Sequence, residues 1–237
     1  MDNEQSIEKL ADHFLVGSAL SGHSYVQNLY GMYIRFEQEM VTERSNMFIS
    51  NEAYHKVYKP LIATSLDFQP HGDTVNVDVL KEGQALGNLE PEQLMRITRD
   101  YKDVLVNLWK THSPDLSWED FMQTPLGFVL ISDFETAASE FVYDLEFSYE
   151  ELVTSPHQVI TSIVEHLLPR ESNPELETFG QAHRSISLNA IDRVVSESAI
   201  RTLREGQTDG MLDSVGVYKQ FLTPDQAGEV DEFVSNL

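Results

Sequence analysis

A chain of 237 residues with 41% hydrophobic and 10% aromatic residues can bury one substantial core, so a single domain over 1–237 is expected and a disordered or fibrous protein is not. Its 39 Asp and Glu stand against 16 Lys and Arg, a formal charge of −23. Such a surface repels nucleic acid and anionic membranes, since either polyanion must be met by clustered cations.

In chain order, His13–Gly17 reads as a buried strand, followed by Ser18-Ala19-Leu20-Ser21-Gly22-His23-Ser24 and then a helix from Ser24 to Val41. In that helix Tyr25, Val26, Leu29, Tyr33, Phe36 and Met40 recur every three or four residues, a stripe read as core. A strand, a Gly-containing turn with hydroxyls and a helix start present unpaired N–H groups at a positive dipole end, which is a ready anion site. The same residues also suit an ordinary tight turn.

Asn46–Ser50 and Thr74–Leu80 are the next candidate strands, and Gln93–Thr98 is the fourth. It ends in Arg99, at the sheet edge where open α/β folds bind ligands, and Asp100 caps a helix carrying Val104, Leu105, Leu108 and Trp109. The Arg99 guanidinium suits a phosphate held bidentately, with Asn107 two turns on projecting to the same side; alternatively Arg99 pairs with Asp100 or Asp103 and fixes the turn. Ser117 with Asp120 marks a helix start at Trp118-Glu119. Leu145–Tyr149 is the last candidate strand and runs into Glu150-Glu151-Leu152. Ser155-Pro156 and Thr223-Pro224 are cap and first-turn pairs, the first for Val159, Ile160, Ile163, Val164 and Leu167, the second for a helix through Ala227, Val230 and Val234. Gln69–Asp73, Arg170–Pro174 and Glu205–Asp213 read as exposed loops. Strands alternating with helices predict an α/β fold, a mostly parallel sheet of about five strands flanked by helices.

No cysteine is present, which excludes a disulfide framework and thiolate metal sites. HExxH, His-x-His and Asp-x-Asp-x-Asp-Gly patterns are missing, so no metal is expected; there is no GxSxG elbow and no Walker lysine. The opening MDNEQSIEKLADHF is acidic ahead of any apolar run, and no run of about 18 apolar residues occurs, so a cytoplasmic protein without a membrane span is expected. The charge has two readings: solubility or life in salt, or a basic protein partner.

Four segments together resemble the PAPS-dependent sulfotransferases. FLVGSALSGHSYVQNLY is similar to the family's strand and 5′-phosphosulfate loop, Pro-Lys-Ser-Gly-Thr-Thr-Trp. RDYKDVLVNLW is similar to its 3′-phosphate motif, YEELVTSP to its Tyr-Glu-Asp-Leu segment, and VGVYKQFLTPDQ to its Val-Gly-Asp-Trp-Lys-Asn stretch before a Thr-Pro-capped helix. The likeness spans residues 13–235 in family order. It implies a P-loop-like, sulfotransferase-like fold and PAPS (3′-phosphoadenosine 5′-phosphosulfate) as cofactor. Ser21, Gly22, His23 and Ser24 would surround the 5′-phosphosulfate, Arg99 and Asn107 the 3′-phosphate, and Tyr25, Tyr149 and Ser198 the adenine.

The chain also departs from the family. Leu20 stands where the family has its loop lysine, and offers no donor. His23 replaces a threonine and supplies a donor or, protonated, a charge. The counterpart of the family's Lys-Thr-His is read as Lys81-Glu82-Gly83, leaving His23 or Glu82 as candidate bases, with His71 and His112 as further histidines to consider. Arg204 is the arginine a gapped alignment keeps near the C-terminal 3′-phosphate segment; an ungapped one places Met211-Leu212-Asp213 there. The expected activity is transfer of a sulfuryl group from PAPS to a hydroxyl or amine of a small molecule or glycan. The alternative is a catalytically impaired relative acting as a nucleotide- or protein-binding module, with a basic protein or a second copy of the chain as partner.

Overall fold

The computed structural model describes residues 13–18, 20–45, 61–65, 80, 81, 83, 89, 93–167, 187–198 and 214–237. Among these, four short strands form one sheet: β1 (His13–Gly17), β2 (Leu61–Ser65), β3 (Leu94–Thr98) and β4 (Leu145–Ser148). The spatial order is β2-β1-β3-β4 and every pair is parallel. Three of the five expected strands stand where the sequence places them. The expected strand at 46–50 lies outside the described residues, as does that at 74–80 except for Leu80, which is helical. Against an expectation of about five strands, the described sheet has four, and β2 falls in a segment for which no strand was expected.

Parallel strands need covering on both faces, and the two sets of alternating side chains supply two cores. Leu15, Met95, Ile97 and Phe147 point to one face. There they meet the stripe Val26, Leu29, Tyr30, Tyr33 and Phe36 of α1 (His23–Ser45). The same face takes α5 (Tyr149–Thr154), α6 (Pro156–Leu167) and α7 (Leu188–Glu197), whose Leu152, Ile160, Ile163, Val164, Ile191 and Val194 complete the cluster. Phe14, Val16 and Leu94 point the other way, onto Phe134 and Ala138 of α4 (Phe128–Ala138). On that face Arg96 is neutralised by Glu135 at 2.6 Å and lies over the rings of Phe134 and Tyr143.

A third cluster sits beyond the sheet. It joins α2 (Tyr101–His112), α3 (Trp118–Met122) and α4 to the last helix, α8 (Pro224–Ser235), through Val104, Leu108, Trp118, Phe121, Ile131 and Val230. The helix starts follow the caps read from sequence. Asp100 accepts from the Lys102 N–H at 3.0 Å, Ser117 from Asp120 at 3.1 Å, and Thr223 and Gln226 form a reciprocal capping box. Ser148 and Glu151 form a second box at the start of α5, so the helix takes Tyr149 and β4 stops one residue short of its expected end.

Candidate functional site

Strand register decides which loops meet. Gly17 is paired with Ile97, and Thr98 with Ser148, so the segments leaving β1, β3 and β4 emerge on one edge of the sheet. That edge is the carboxyl end of parallel strands, where α/β folds hold ligands. Ser18–Gly22, Arg99–Asp100 and Tyr149 are thereby neighbours.

The turn after β1 is tight. A side chain at Gly17 would collide with Ser21 Oγ and with Ile97, so glycine is required for the loop to fold back over the strand end. Leu20 takes φ 59° and Gly22 φ 94°, the second in a region L residues avoid; a Cβ there would also lie 2.6 Å from the Tyr149 ring. Loop and ring are thus in contact. Val26 donates to the Gly22 carbonyl at 3.0 Å, so the first intrahelical bond of α1 begins at Val26, and the N–H groups of His23 and Ser24 precede it.

Within the loop, Ser21 is fully buried and its Oγ lies 3.3 Å from His23 Nδ1. Burial holds the His23 imidazole below its ordinary range, and a hydrogen bond to the Ser18 carbonyl works weakly the other way. It is therefore a neutral donor and acceptor at neutral pH rather than a standing positive charge.

Arg99 supplies the charge. It is 5% exposed and stacks over Tyr149, its guanidinium carbon 4.6 Å from the ring centroid. It donates to the Leu20 carbonyl at 3.0 Å and to the Ser214 carbonyl at 3.4 Å. Leu20 itself is 37% exposed, so its side chain points outward and does not plug the loop. Glu150 accepts from the Asp100 N–H at 3.1 Å, tying the turn after β3 to the start of α5.

Asp103 does something the sequence did not signal. Fully buried, it accepts from Gly216 N–H at 2.6 Å and from Tyr218 N–H at 2.9 Å. Burial pushes its carboxyl up, while those two bonds and the nearby Arg99 charge pull it down. The segment ending in the 3-10 turn Val217–Gln220 is held against α2 in this way. A shallow groove of about 410 Å³ lies between the turn after β3 and α8, lined by Arg99, Asp100, Tyr101, Val230, Asp231, Val234 and Ser235.

The structure brings Ser21, Gly22, His23, Arg99 and Tyr149 together. Tyr149 is 3% exposed, covered by Gly22 and Arg99 rather than lining an open slot. Tyr25 is half-buried and packs against the α1-face core. Asn107 is buried on α2 and accepts from Thr111 Oγ1 at 3.2 Å. Ser198 ends α7, and among the described residues its Oγ is shut from solvent with no hydrogen-bond partner. The side chain of Ser24, and Glu82 and Arg204 altogether, lie outside the described residues, as does His71. His112 sits at the far end of α2 from Arg99.

One reading is corrected. Lys81 and Gly83 are helical, and Lys81 pairs with Glu140 at 2.7 Å, so Lys81-Glu82-Gly83 does not end a strand. The strand beside β1 on the side away from Arg99 is β2, whose last residue, Ser65, is paired with Gly17. The signal available was Leu61-Ile62 after Pro60, a short apolar run that also suits a loop.

No family model and no curated protein matches the chain. Among solved structures, it is similar to the mouse sulfotransferase SULT7A1 complexed with PAP, at 16% identity and a TM-score of 0.50, over 100% of this chain and 90% of that one. At this identity the likeness shows the fold: a parallel α/β sheet flanked by helices, of sulfotransferase type. Among the described residues no helix is long and apolar enough to cross a membrane, and no three metal-ligating side chains converge.

Proposed function

We propose that the chain binds PAPS and transfers its sulfuryl group to a hydroxyl or amine of a small molecule or glycan. The observation that carries this reading is the meeting of the Ser21–His23 loop, the Arg99 guanidinium and Tyr149 on one edge of a parallel sheet. The residues suit an anionic adenine nucleotide in three respects. The first-turn N–H groups of α1 would receive the 5′-phosphosulfate, with Ser21 and Ser24 hydroxyls beside them. Arg99, with Asn107 and Arg204, would hold the 3′-phosphate, and a guanidinium bond to a charged oxygen is roughly twice as strong as one to a neutral carbonyl. The Ser198 hydroxyl, which has no hydrogen-bond partner among the described residues, is suited to the adenine edge, and Tyr25 to its face. When bound, PAPS supplies an activated sulfuryl group: the bond from acceptor oxygen or nitrogen to sulfur forms as that from sulfur to the bridging phosphate oxygen breaks. His23, neutral at physiological pH, is the candidate to take the acceptor's proton.

Calorimetric titration with adenosine 3′,5′-bisphosphate tests the reading, with micromolar binding expected and lost in Arg99→Ala; no heat at millimolar ligand would sink it. One observation favours a second reading, a binding module of the same fold. Leu20 stands at the loop position where the resembled family has its lysine, so that donor to the leaving group is missing, and such a loss lowers rates by about a hundred- to a thousandfold. If the chain is a slow transferase, Leu20→Lys raises sulfuryl transfer from radiolabelled PAPS by a comparable factor. A variant that binds the bisphosphate more tightly yet transfers nothing to a panel of phenols, amines and glycans supports the module.

A further inference from the structure

The stretch Ser214–Gln220 has no chemistry evident from its residue types, yet two features of the site run through it. Ser214 offers its carbonyl to Arg99, and the N–H groups of Gly216 and Tyr218 converge on the Asp103 carboxylate. We infer that Asp103 is a positioning residue for Arg99: by clamping Gly216 and Tyr218 it fixes the Ser214 carbonyl, and through it the aim of the guanidinium toward a 3′-phosphate. This rests on the nucleotide reading above.

An arginine side chain has four rotatable bonds, so a guanidinium recognises a phosphate well only if its plane is set beforehand. Among the described residues, three pieces of chain set it. The Leu20 carbonyl takes one terminal nitrogen, the Tyr149 ring takes the face, and the Ser214 carbonyl takes the other terminal nitrogen. The first two come from the loop after β1 and the start of α5, both anchored in the sheet. Ser214 comes from neither. Its position depends on how the segment is bound to α2; Val217 packs into the α2 cluster, and the Asp103 clamp is the polar attachment beside it. Gly216 makes the geometry possible: its φ of 74° turns two nearby N–H groups inward to one carboxylate, a concave arrangement that holds anions in many proteins and holds an internal one here. A fully buried carboxylate with two charge-assisted bonds is a strong clamp, since removing either partner leaves a buried polar group unsatisfied.

Two variants loosen the clamp from opposite sides. Asp103→Asn keeps one acceptor oxygen and turns an amide N–H toward the other backbone N–H. Gly216→Ala strains the backbone alone, because its new Cβ would meet nothing nearer than Lys219 Nζ at 3.7 Å. The readout is the ratio of affinities for adenosine 3′,5′-bisphosphate and adenosine 5′-monophosphate, which differ only in the 3′-phosphate, measured on folded protein checked by circular dichroism. The wild-type chain is expected to favour the bisphosphate by about tenfold or more. Both variants are expected to bring the ratio to within about twofold while affinity for the monophosphate stays unchanged. Variants that keep the wild-type ratio, or that weaken both nucleotides equally, overturn the inference and leave the nucleotide reading standing. A wild-type chain that binds neither nucleotide, or both alike, overturns the nucleotide reading itself. Should Asp103→Asn fail to fold, Gly216→Ala decides alone.

Discussion

Glu37 is 4% exposed on the core side of α1, where Tyr33 donates a hydrogen bond to it and burial pushes its carboxyl up to about 7. The folded chain therefore keeps a proton that the unfolded chain releases near the ordinary glutamate value, so the residue's contribution is fullest below about pH 4.5 and fades as pH rises through about 7. Glu37→Gln has the same shape and no charge to bury. It is expected to stabilise the protein at about pH 8 and to change little at about pH 5, read as urea midpoints of both proteins at both values. An equal gap at the two values would show that the carboxyl does not titrate in this range. Comparison with the variant is needed because His23 acts with the opposite sign. Its folded value is depressed, so what it contributes is present above about 6.5 and is lost as pH falls.

At the scale of single elements, α8 shows how local chemistry starts a helix and packing then fixes it. Pro224 presets the first turn, Thr223 accepts from the Gln226 N–H at 3.3 Å, and Gln226 returns a bond from the Thr223 N–H at 2.9 Å. Val230, with Phe233 and Val234 beside it, then seats the helix on α2 and α3. Thr223→Ala is expected to destabilise the protein by about 1 kcal/mol, lowering the melting temperature by roughly 2–4 °C, while Thr223→Ser stays near wild type. A melt unchanged by the alanine would mean that packing alone holds the element. Caps of this kind were legible in the sequence because a cap involves residues within four positions of each other. Asp100, Ser117 and Thr223 all cap helices where the residues suggest, and α6 begins at Pro156 as expected. β1, β3 and β4 were legible for a similar reason, being apolar runs with a turn or cap at the end. β2 was not, because Leu-Ile-Ala-Thr-Ser carries no alternation and is placed by long-range contacts, its pairing with β1 and the burial of Leu61 in the α1-face core. The Asp103 clamp was hidden for the same cause: its two partners lie more than a hundred positions away.

For the whole molecule, the charge of −23 sets a background against which every local pair must be weighed. The ion pairs of Lys81 with Glu140 and of Arg193 with Glu39 and Glu197 are well exposed, and such pairs contribute little each. Repulsion among the unmatched carboxylates is long-ranged and is screened once the Debye length falls below their spacing, about 10 Å at 0.1 M salt. Losing a few weak pairs and relieving a large repulsion have opposite signs, and the excess of acids over bases makes relief the larger. The melting temperature is therefore expected to rise as sodium chloride goes from about 20 mM to about 500 mM. Sulfate at matched ionic strength should raise it further for two separable reasons. It is excluded from protein surfaces in general, and it resembles the 3′-phosphate proposed to sit at Arg99, where occupancy stabilises the fold by mass action. Arg99→Ala separates the two, because general exclusion is untouched by one substitution. If the sulfate increment over chloride shrinks in that variant, the parallel sheet presents a working anion site on a molecule that otherwise repels anions; if it is unchanged, the increment belongs to solvent and the site must be sought elsewhere.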